Sequence, residues 1–173
     1  NVAAGYNNFG SALQGKGEYD KAIVYFEKAL QINLKALGDN HPKVAVGYNN
    51  LGLAWDSKEE YDKAIAYFEK ALQINLKALG DNHPNVAAQY NNLGVVWREK
   101  GQYDKAIIYS AKALQINLQV FGDNHPTVAT GYSNLGLAWR SKGEYDEAID
   151  YFEKALQIDL QRSEEHTSEL QSH

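Results

Sequence analysis

The strongest constraint on this chain is an internal repeat with a period of 42 residues. Its clearest marker is the segment Gly-Asp-Asn-His-Pro, which occurs at 38–42, 80–84 and 122–126. The first two copies differ at only nine positions. Repeats of this length are single supersecondary units that cannot bury a core alone, so neighbouring copies stack into an array. We therefore expect one repeat array over residues 1–161, with copies at 1–42, 43–84, 85–126 and 127–161.

The apolar residues of each copy predict two helices joined by a short polar turn. In the second copy, one helical face carries Val44, Tyr48, Leu51, Gly52 and Trp55. A longer second helix carries Ala64, Ile65, Phe68, Ala71, Leu72, Leu76 and Leu79. Glycines such as Gly17 and Gly38 predict helix ends in the left-handed conformation, and Asp or Asn predicts the next N-cap. Pro42 suits a first helical turn, so the predicted fold class is all-α.

These copies resemble the tetratricopeptide repeat, whose signature positions in the second copy are occupied by Tyr48, Leu51, Gly52, Trp55, Tyr61, Ala64, Phe68 and Ala71. Leu34, Leu76 and Leu118 replace the proline that usually closes a repeat of about 34 residues. The second helix is therefore expected to run about two turns further. The repeat length and the Gly-Asp-Asn-His-Pro segment are similar to the kinesin-light-chain class. This resemblance implies an α-solenoid of four helix-turn-helix repeats that form a right-handed superhelix.

The resemblance also implies where a partner binds, because the first helix of each repeat lines the concave face in this family. Carried over by position, the predicted peptide-binding groove consists of Asn7, Asn49, Asn91, Ser133, Leu53, Val95, Leu137, Asp56, Arg98 and Arg140. An amide offers a donor and an acceptor to a peptide main chain, and arginine suits a carboxylate. The acidic groups of Asp56 and Glu99 oppose a purely acidic ligand.

The differences between copies also fall on the groove. Four of the nine differences between the first two copies lie at positions that the resemblance places in the groove lining, 4/46, 11/53, 14/56 and 15/57, whereas the core positions are nearly invariant. Selection for binding explains this diversity, and neutral drift on an exposed face is the alternative. The asparagines that adjoin the groove are expected to bond within the array: Asn8, Asn50, Asn92 and Asn134.

No residue pattern points to catalysis, a metal or a cofactor. His41, His83 and His125 recur once per copy, so we expect neighbours about 10 Å apart, which is too far to share a zinc ion. The chain has no cysteine, phosphate-binding loop, nucleophile elbow or His-Glu-x-x-His motif. We therefore predict structural turn histidines, no catalytic residue and no enzymatic activity. The regularly repeated tyrosines and tryptophans are expected to pack within the repeats.

Charge and hydropathy narrow the classes of partner. The net charge is −5, and the signs are interspersed without the basic stripe that nucleic-acid binding requires. No segment approaches the ~18 consecutive apolar residues of a transmembrane helix. We expect a protein or peptide partner, no nucleic acid and no membrane, with a cytoplasmic location by default.

The last twelve residues, 162–173, break the repeat. They resemble the in-frame translation of a sequencing adapter, so we expect this tail not to be native; a polar capping segment is the alternative. The chain has no methionine and begins within a helical pattern, which predicts a piece of a longer array. In the third copy, Ser110 and Ala111 replace the Phe-Glu of the other copies. This replacement predicts either a partly exposed site or a locally soft repeat.

Three functional interpretations are compatible with these patterns. The first is a scaffold that binds a peptide or protein segment in the concave groove. The second is a structural protein that assembles head to tail through its repeat ends, because such contacts propagate into open oligomers or filaments. The third is an effector array whose enzymatic domain lies outside this sequence. We rank them in that order.

Overall fold

The computed structural model describes the backbone of residues 2–171 and the side chains of residues 2–164. Within this part of the chain, all regular secondary structure is α-helical. The eight helices are α1 (Val2–Gly15), α2 (Tyr19–Leu37), α3 (Pro42–Ser57), α4 (Tyr61–Leu79), α5 (Pro84–Glu99), α6 (Tyr103–Phe121), α7 (Pro126–Lys142) and α8 (Tyr145–Gln171). The predicted all-α fold of paired helices is confirmed. The second helices α2, α4 and α6 each have 19 residues, so they extend beyond the leucines that replace proline.

The helices form two compact units, residues 1–81 (unit 1) and residues 82–173 (unit 2). In unit 1, α1 packs on α2, α2 packs on α3, and α3 packs on α4. Unit 2 repeats this arrangement with α5 to α8. In each unit the two first helices also contact one another, α1 with α3 and α5 with α7. Each unit therefore carries one surface formed by its two first helices.

The core of each unit consists of the apolar faces that the repeat predicts. Phe26, Val44 and Leu51 are among the fully buried residues of unit 1, and Trp55 packs against the edge of that core. In unit 2, Trp139 packs in the same way on a core that includes Leu135. The prediction that these tryptophans serve packing is confirmed. The apolar positions of the sequence thus decide which faces of the helices meet.

Close approach of the paired helices depends on one glycine per copy. A Cβ atom at Gly52 would lie 2.5 Å from the ring of Phe68, which no real side chain tolerates. In the third copy the corresponding glycine, Gly94, faces Ser110 instead of a phenylalanine. Ser110 is only 4% exposed, so the site is not the partly exposed one that the sequence allowed. The replacement therefore removes aromatic packing from a buried site.

The N-caps of α3, α5 and α7 differ from the prediction. Asp or Asn was expected there, but the residues before the prolines are His41, His83 and His125. Each imidazole accepts, through Nδ1, a hydrogen bond from the backbone N–H two residues later, at 3.1 to 3.2 Å. Because helix N-termini leave backbone N–H groups without an intrahelical partner, this bond stabilises the start of each helix. The turn histidines therefore have a structural role, as predicted, and that role is to cap the helix that follows.

Two kinds of turn use positive φ angles. Gly38, at the end of α2, has φ 79° and ψ 169°, a conformation essentially restricted to glycine, and not the left-handed helical conformation predicted for it. The turn between the helices of a repeat has glycine at positive φ in three copies. In the second copy, Glu59 occupies that position with φ 60°. A side chain with a Cβ is strained there.

Helix α8 continues from the repeat through most of the tail that the sequence predicts to be non-native. The side chains of 165–173 lie outside the described residues, and so does His166. The expectation that residues 162–173 are not native stays a prediction.

Candidate functional site

The groove residues of unit 1 lie on its two first helices. Asn7 lies on α1, and Asn49, Leu53 and Asp56 lie on α3. Leu53 is exposed, and the three polar residues are half-buried. We call this surface, defined by these four residues, the α1/α3 surface. It combines one accessible apolar side chain with amide and carboxylate groups, a mixture that suits contact with another polypeptide.

A hydrogen-bonded contact fixes the two helices of this surface to one another. The Nε2 atom of Gln14 on α1 donates to Oγ of Ser57 on α3 at 3.2 Å. The Ser57 hydroxyl in turn donates to the backbone oxygen of Leu53 at 2.9 Å. The backbone of Leu53 on α3 is thereby linked through Ser57 to Gln14 on α1.

The groove residues of unit 2 form the corresponding α5/α7 surface. Its members are Asn91, Val95, Arg98, Ser133, Leu137 and Arg140. Nδ2 of Asn134, which is one of the adjoining asparagines, donates to Oδ1 of Asn91 at 2.6 Å. One acceptor of the predicted groove is therefore used within the protein. The binding role of all these residues stays a prediction.

The two surfaces differ in charge. Arg140 is exposed, and an Arg98 guanidinium nitrogen lies 3.8 Å from a carboxylate oxygen of Glu99, at the outer limit of an ion pair. The α5/α7 surface therefore has two arginines and one weakly paired acid. The α1/α3 surface has Asp56 instead. The two surfaces therefore differ in the sign of their net charge.

Unit 1 also contains a pocket of about 140 Å³ beside the α1/α3 surface. We call it the asparagine pocket; it is lined by Ala3, Ala4, Asn7, Asn33, Lys43 and Val46. Asn33 is 7% exposed, and Oδ1 of Asn7 is fully buried without a hydrogen-bond partner. Buried polar atoms in native proteins are nearly always hydrogen-bonded. The pocket therefore holds an unsatisfied acceptor.

Sequence reasoning missed Asn33 and Lys43. Asparagine recurs at 33, 75 and 117, at the same position of the first three copies, within otherwise apolar helix faces, and all three residues are buried. A polar residue in that position was the available signal. Lys43 carried no such signal, because its proximity to Asn33 depends on how α2 and α3 pack.

The repeated tyrosines, which were a further candidate for a binding surface, contribute to packing. Tyrosines from the two helices of a repeat pair with one another, for example Tyr48 with Tyr67 at a centroid distance of 6.1 Å, and Lys70 lies over both rings. Burial is the main cause that raises the pKa of the Tyr67 hydroxyl, and Glu27 raises it further. The prediction that tyrosines pack within repeats is confirmed for these pairs, whereas Tyr145 is 64% exposed. Among the described residues, no three His, Cys, Asp or Glu side chains come close enough to hold a metal ion.

A search for membrane-spanning segments over the described residues finds no helix that is both long and apolar enough to cross a bilayer.

Comparisons with known proteins agree with this architecture. The sequence profile described as tetratricopeptide repeat matches residues 1–66, 57–109 and 88–161. No curated protein matches the sequence.

Three solved structures have a similar fold. BtubC (BKLC) from P. vanneervenii is 26% identical, with a TM-score of 0.85, over 93% of this chain and 64% of that protein. The kinesin light chain TPR-like repeats of Podosopora anserina are 22% identical, with a TM-score of 0.78, over 92% of this chain and 76% of that one. MamA is 26% identical, with a TM-score of 0.67, over 95% of this chain and 82% of that one. This chain thus spans less than two thirds of BtubC, and its neighbours are repeat proteins of the kinesin-light-chain type.

Proposed function

Because the chain belongs to the tetratricopeptide repeat family, we propose that it is a non-enzymatic scaffold that binds an extended segment of a partner protein on its first-helix surfaces. Tetratricopeptide repeats generally mediate protein–protein interactions, and they are typically non-enzymatic. For this chain, the segment would lie on the α1/α3 surface, the α5/α7 surface or both. Fold alone does not assign a ligand, so the residues of these surfaces have to account for the binding.

The main support is the contrast between variable first-helix surface positions and nearly invariant core positions. Ser11 and Gln14 in the first copy correspond to Leu53 and Asp56 in the second. All four side chains are half-buried or exposed on α1 or α3. Substitutions that packing does not restrict have accumulated on the surface where a partner would be recognised.

The chemistry of the two surfaces suits an extended polypeptide. Leu53 and Leu137 offer apolar contact, and the amides of the first helices offer both donors and acceptors. Arg140 is exposed and suits a carboxylate on the bound segment. Interfaces of this mixed character derive most of their affinity from a few apolar or arginine anchors.

A selection from a phage library of random linear peptides tests this proposal. A selected peptide is labelled, and its affinity for the intact chain is measured by fluorescence anisotropy. The substitutions Leu53→Glu and Leu137→Glu are expected to weaken binding at least about tenfold at the affected surface. Val24→Glu and Ile108→Glu are matched controls, because both residues are exposed apolar residues of second helices. Equal loss in the controls, or no loss in the first pair, would remove the first-helix surfaces from the site.

A second candidate function is head-to-tail self-association through α1 and α8. Phe9 on α1 is 51% exposed, whereas the corresponding Leu51 on α3 is 1% exposed because it packs within unit 1. Leu156 on α8 is 57% exposed, whereas the corresponding Leu114 on α6 is 6% exposed. A second copy would place its α1 on α8 as α7 lies on α6. Such a contact is heterologous and propagates into open oligomers.

Light scattering behind a sizing column, across a range of protein concentrations, tests self-association. Mass that rises with concentration, and that Phe9→Glu and Leu156→Glu each suppress, would support it. Val24→Glu is the control for added charge. A mass that stays constant across the range eliminates this candidate and leaves peptide binding untouched.

A further inference from the structure

The asparagine pocket differs from the rest of unit 1 because polar groups lie at its floor. Ala3 and Asn33 are buried, while Ala4, Lys43 and Val46 are exposed at its rim. The pocket therefore opens beside the α1/α3 surface and ends on the side chain of Asn33. Oδ1 of Asn7 is buried in its wall without a donor. Asn7 and Asn33 both line the pocket, but Oδ1 of Asn7 has almost no accessible surface, so the Asn7 side chain has to turn toward the pocket before this oxygen can meet an entering group.

In unit 2, the amide oxygen that corresponds to Oδ1 of Asn7 has a hydrogen-bond partner. Asn91 corresponds to Asn7, but its Oδ1 accepts the 2.6 Å hydrogen bond from Asn134. Thr127 corresponds to Lys43, so the cationic group is also absent from that position. The two units share their asparagines and differ in whether the first-helix asparagine is satisfied. This difference singles out the pocket of unit 1.

We propose that the asparagine pocket binds the carboxamide side chain of a glutamine or asparagine in the bound segment. The proposal rests on the proposed function, because it assumes that a segment lies on the α1/α3 surface. A carboxamide carries two N–H donors and one oxygen acceptor. Its N–H group would donate to Oδ1 of Asn7, and its oxygen would accept from Asn33 or from the ammonium group of Lys43. Donor and acceptor needs of the pocket are then met together.

The size of the pocket agrees with this ligand. A cavity of about 150 Å³ is large enough to hold benzene, so about 140 Å³ accommodates the side chain of glutamine. An apolar side chain of the same size would leave the buried amides without partners. A carboxylate would place a negative oxygen against Oδ1 of Asn7, although Lys43 would attract it. Water molecules alone would also satisfy the pocket, and the experiment must separate them from a ligand.

The test is a titration of the intact, ¹⁵N-labelled chain followed by NMR. The probes are the N-acetyl, N-methylamide derivatives of glutamine, methionine and glutamate, which share one main chain and have side chains of similar length. The glutamine probe is expected to shift the side-chain amide signals of Asn7 and Asn33. It is expected to bind about tenfold more tightly than either of the other two probes.

Two variants and their matched controls locate the binding. Ala4→Leu fills the mouth of the pocket from an exposed position, so it does not disturb the core, and it is expected to abolish the shifts. Asn33→Leu removes the amide at the floor and is expected to do the same. Ala88→Leu and Asn117→Leu change the corresponding residues of unit 2, and both are expected to leave the shifts intact.

Each outcome has a distinct meaning. Equal affinity for the glutamine and methionine probes would mean that the pocket does not recognise a carboxamide, and shifts that persist in Ala4→Leu would mean that the probe binds outside the pocket; either result would overturn the inference. Tightest binding of the glutamate probe would mean that Lys43 makes it an anion site and would overturn the carboxamide assignment. A library-selected peptide that binds Ala4→Leu and Asn33→Leu unchanged, yet fails to bind Leu53→Glu, would overturn this inference and leave the proposed function standing.

Discussion

Nδ2 of Asn134 donates a 2.6 Å hydrogen bond to Oδ1 of Asn91, and this bond joins α7 to α5 within unit 2. The two residues belong to successive copies and both lie on first helices. In unit 1 the corresponding pair is Asn50 and Asn7, and Oδ1 of Asn7 has no partner. Identical residue types at corresponding positions therefore end in different hydrogen-bonding states.

This difference predicts unequal effects of the same substitution. Asn134→Ala is expected to lower the free energy of unfolding by about 1 kcal/mol, because Oδ1 of Asn91 loses its donor. Asn50→Ala is the matched control and should have a smaller effect. Urea denaturation followed by circular dichroism measures both. Equal destabilisation would contradict the structural difference between the two asparagine pairs.

The histidine N-caps predict that His83→Ala destabilises the chain by about 1 kcal/mol, because the backbone N–H of Asn85 loses its acceptor. His83→Asp should retain most of the stability, since aspartate is a favourable N-cap. Thermal unfolding gives the stability change, and amide hydrogen exchange at Asn85 reports the cap itself. If His83→Asp proves as unstable as His83→Ala, capping is not what the imidazole contributes.

The strained turn at Glu59 predicts a stabilising substitution. Glu59→Gly is expected to raise stability by about 1 kcal/mol, because glycine adopts φ 60° without a Cβ clash. The reciprocal change Gly101→Ala, at the corresponding turn of the third copy, should lower stability by a similar amount. Differential scanning calorimetry of the two variants checks the signs. A lower melting temperature for Glu59→Gly would show that its side chain has a compensating role.

Ser110 predicts a second stabilising substitution, this time in a core. Ser110→Phe is expected to raise the free energy of unfolding by on the order of 2 kcal/mol, because it restores the aromatic ring that faces the glycine in the other copies. Gly94 has no Cβ to clash with that ring, as at Gly52 opposite Phe68. Phe68→Ser is the reciprocal variant and should destabilise by a comparable or larger amount. Chemical denaturation measures both, and a destabilised Ser110→Phe would mean that its surroundings have repacked around serine.

The fold could be predicted from the sequence because the residues that determine each helix and each turn recur in every copy of the repeat. Apolar spacing around Leu51 and Phe68 predicts two helices, glycine and proline predict their ends, and the 42-residue period predicts the stacking. The N-cap was predicted incorrectly, since the choice between Asp39, Asn40 and His41 depends on backbone dihedral angles that composition does not reveal. His41 adopts φ −85° and ψ 138°, which brings Nδ1 to the amide of Lys43.

The candidate site was less predictable than the fold. The positions on the first helices follow from the helical period, so Leu53 and Arg140 were found on accessible surfaces. The asparagine pocket was not found, because it requires α1, α2 and α3 to bring Asn7, Asn33 and Lys43 together. Whether an amide oxygen is satisfied depends on angstrom-scale differences between copies that share the same residues.

The histidine cap has an evolutionary consequence. Each imidazole bonds to a backbone amide only two residues ahead, so the joint between successive copies is made by residues that are neighbours in the sequence and does not depend on the side chain of the partner residue. A duplicated or deleted stretch of 42 residues would therefore bring or remove its own joint without a compensating change elsewhere. Unequal recombination can then alter the number of copies while every surviving junction keeps its geometry, which lets the length of the array evolve faster than its local structure.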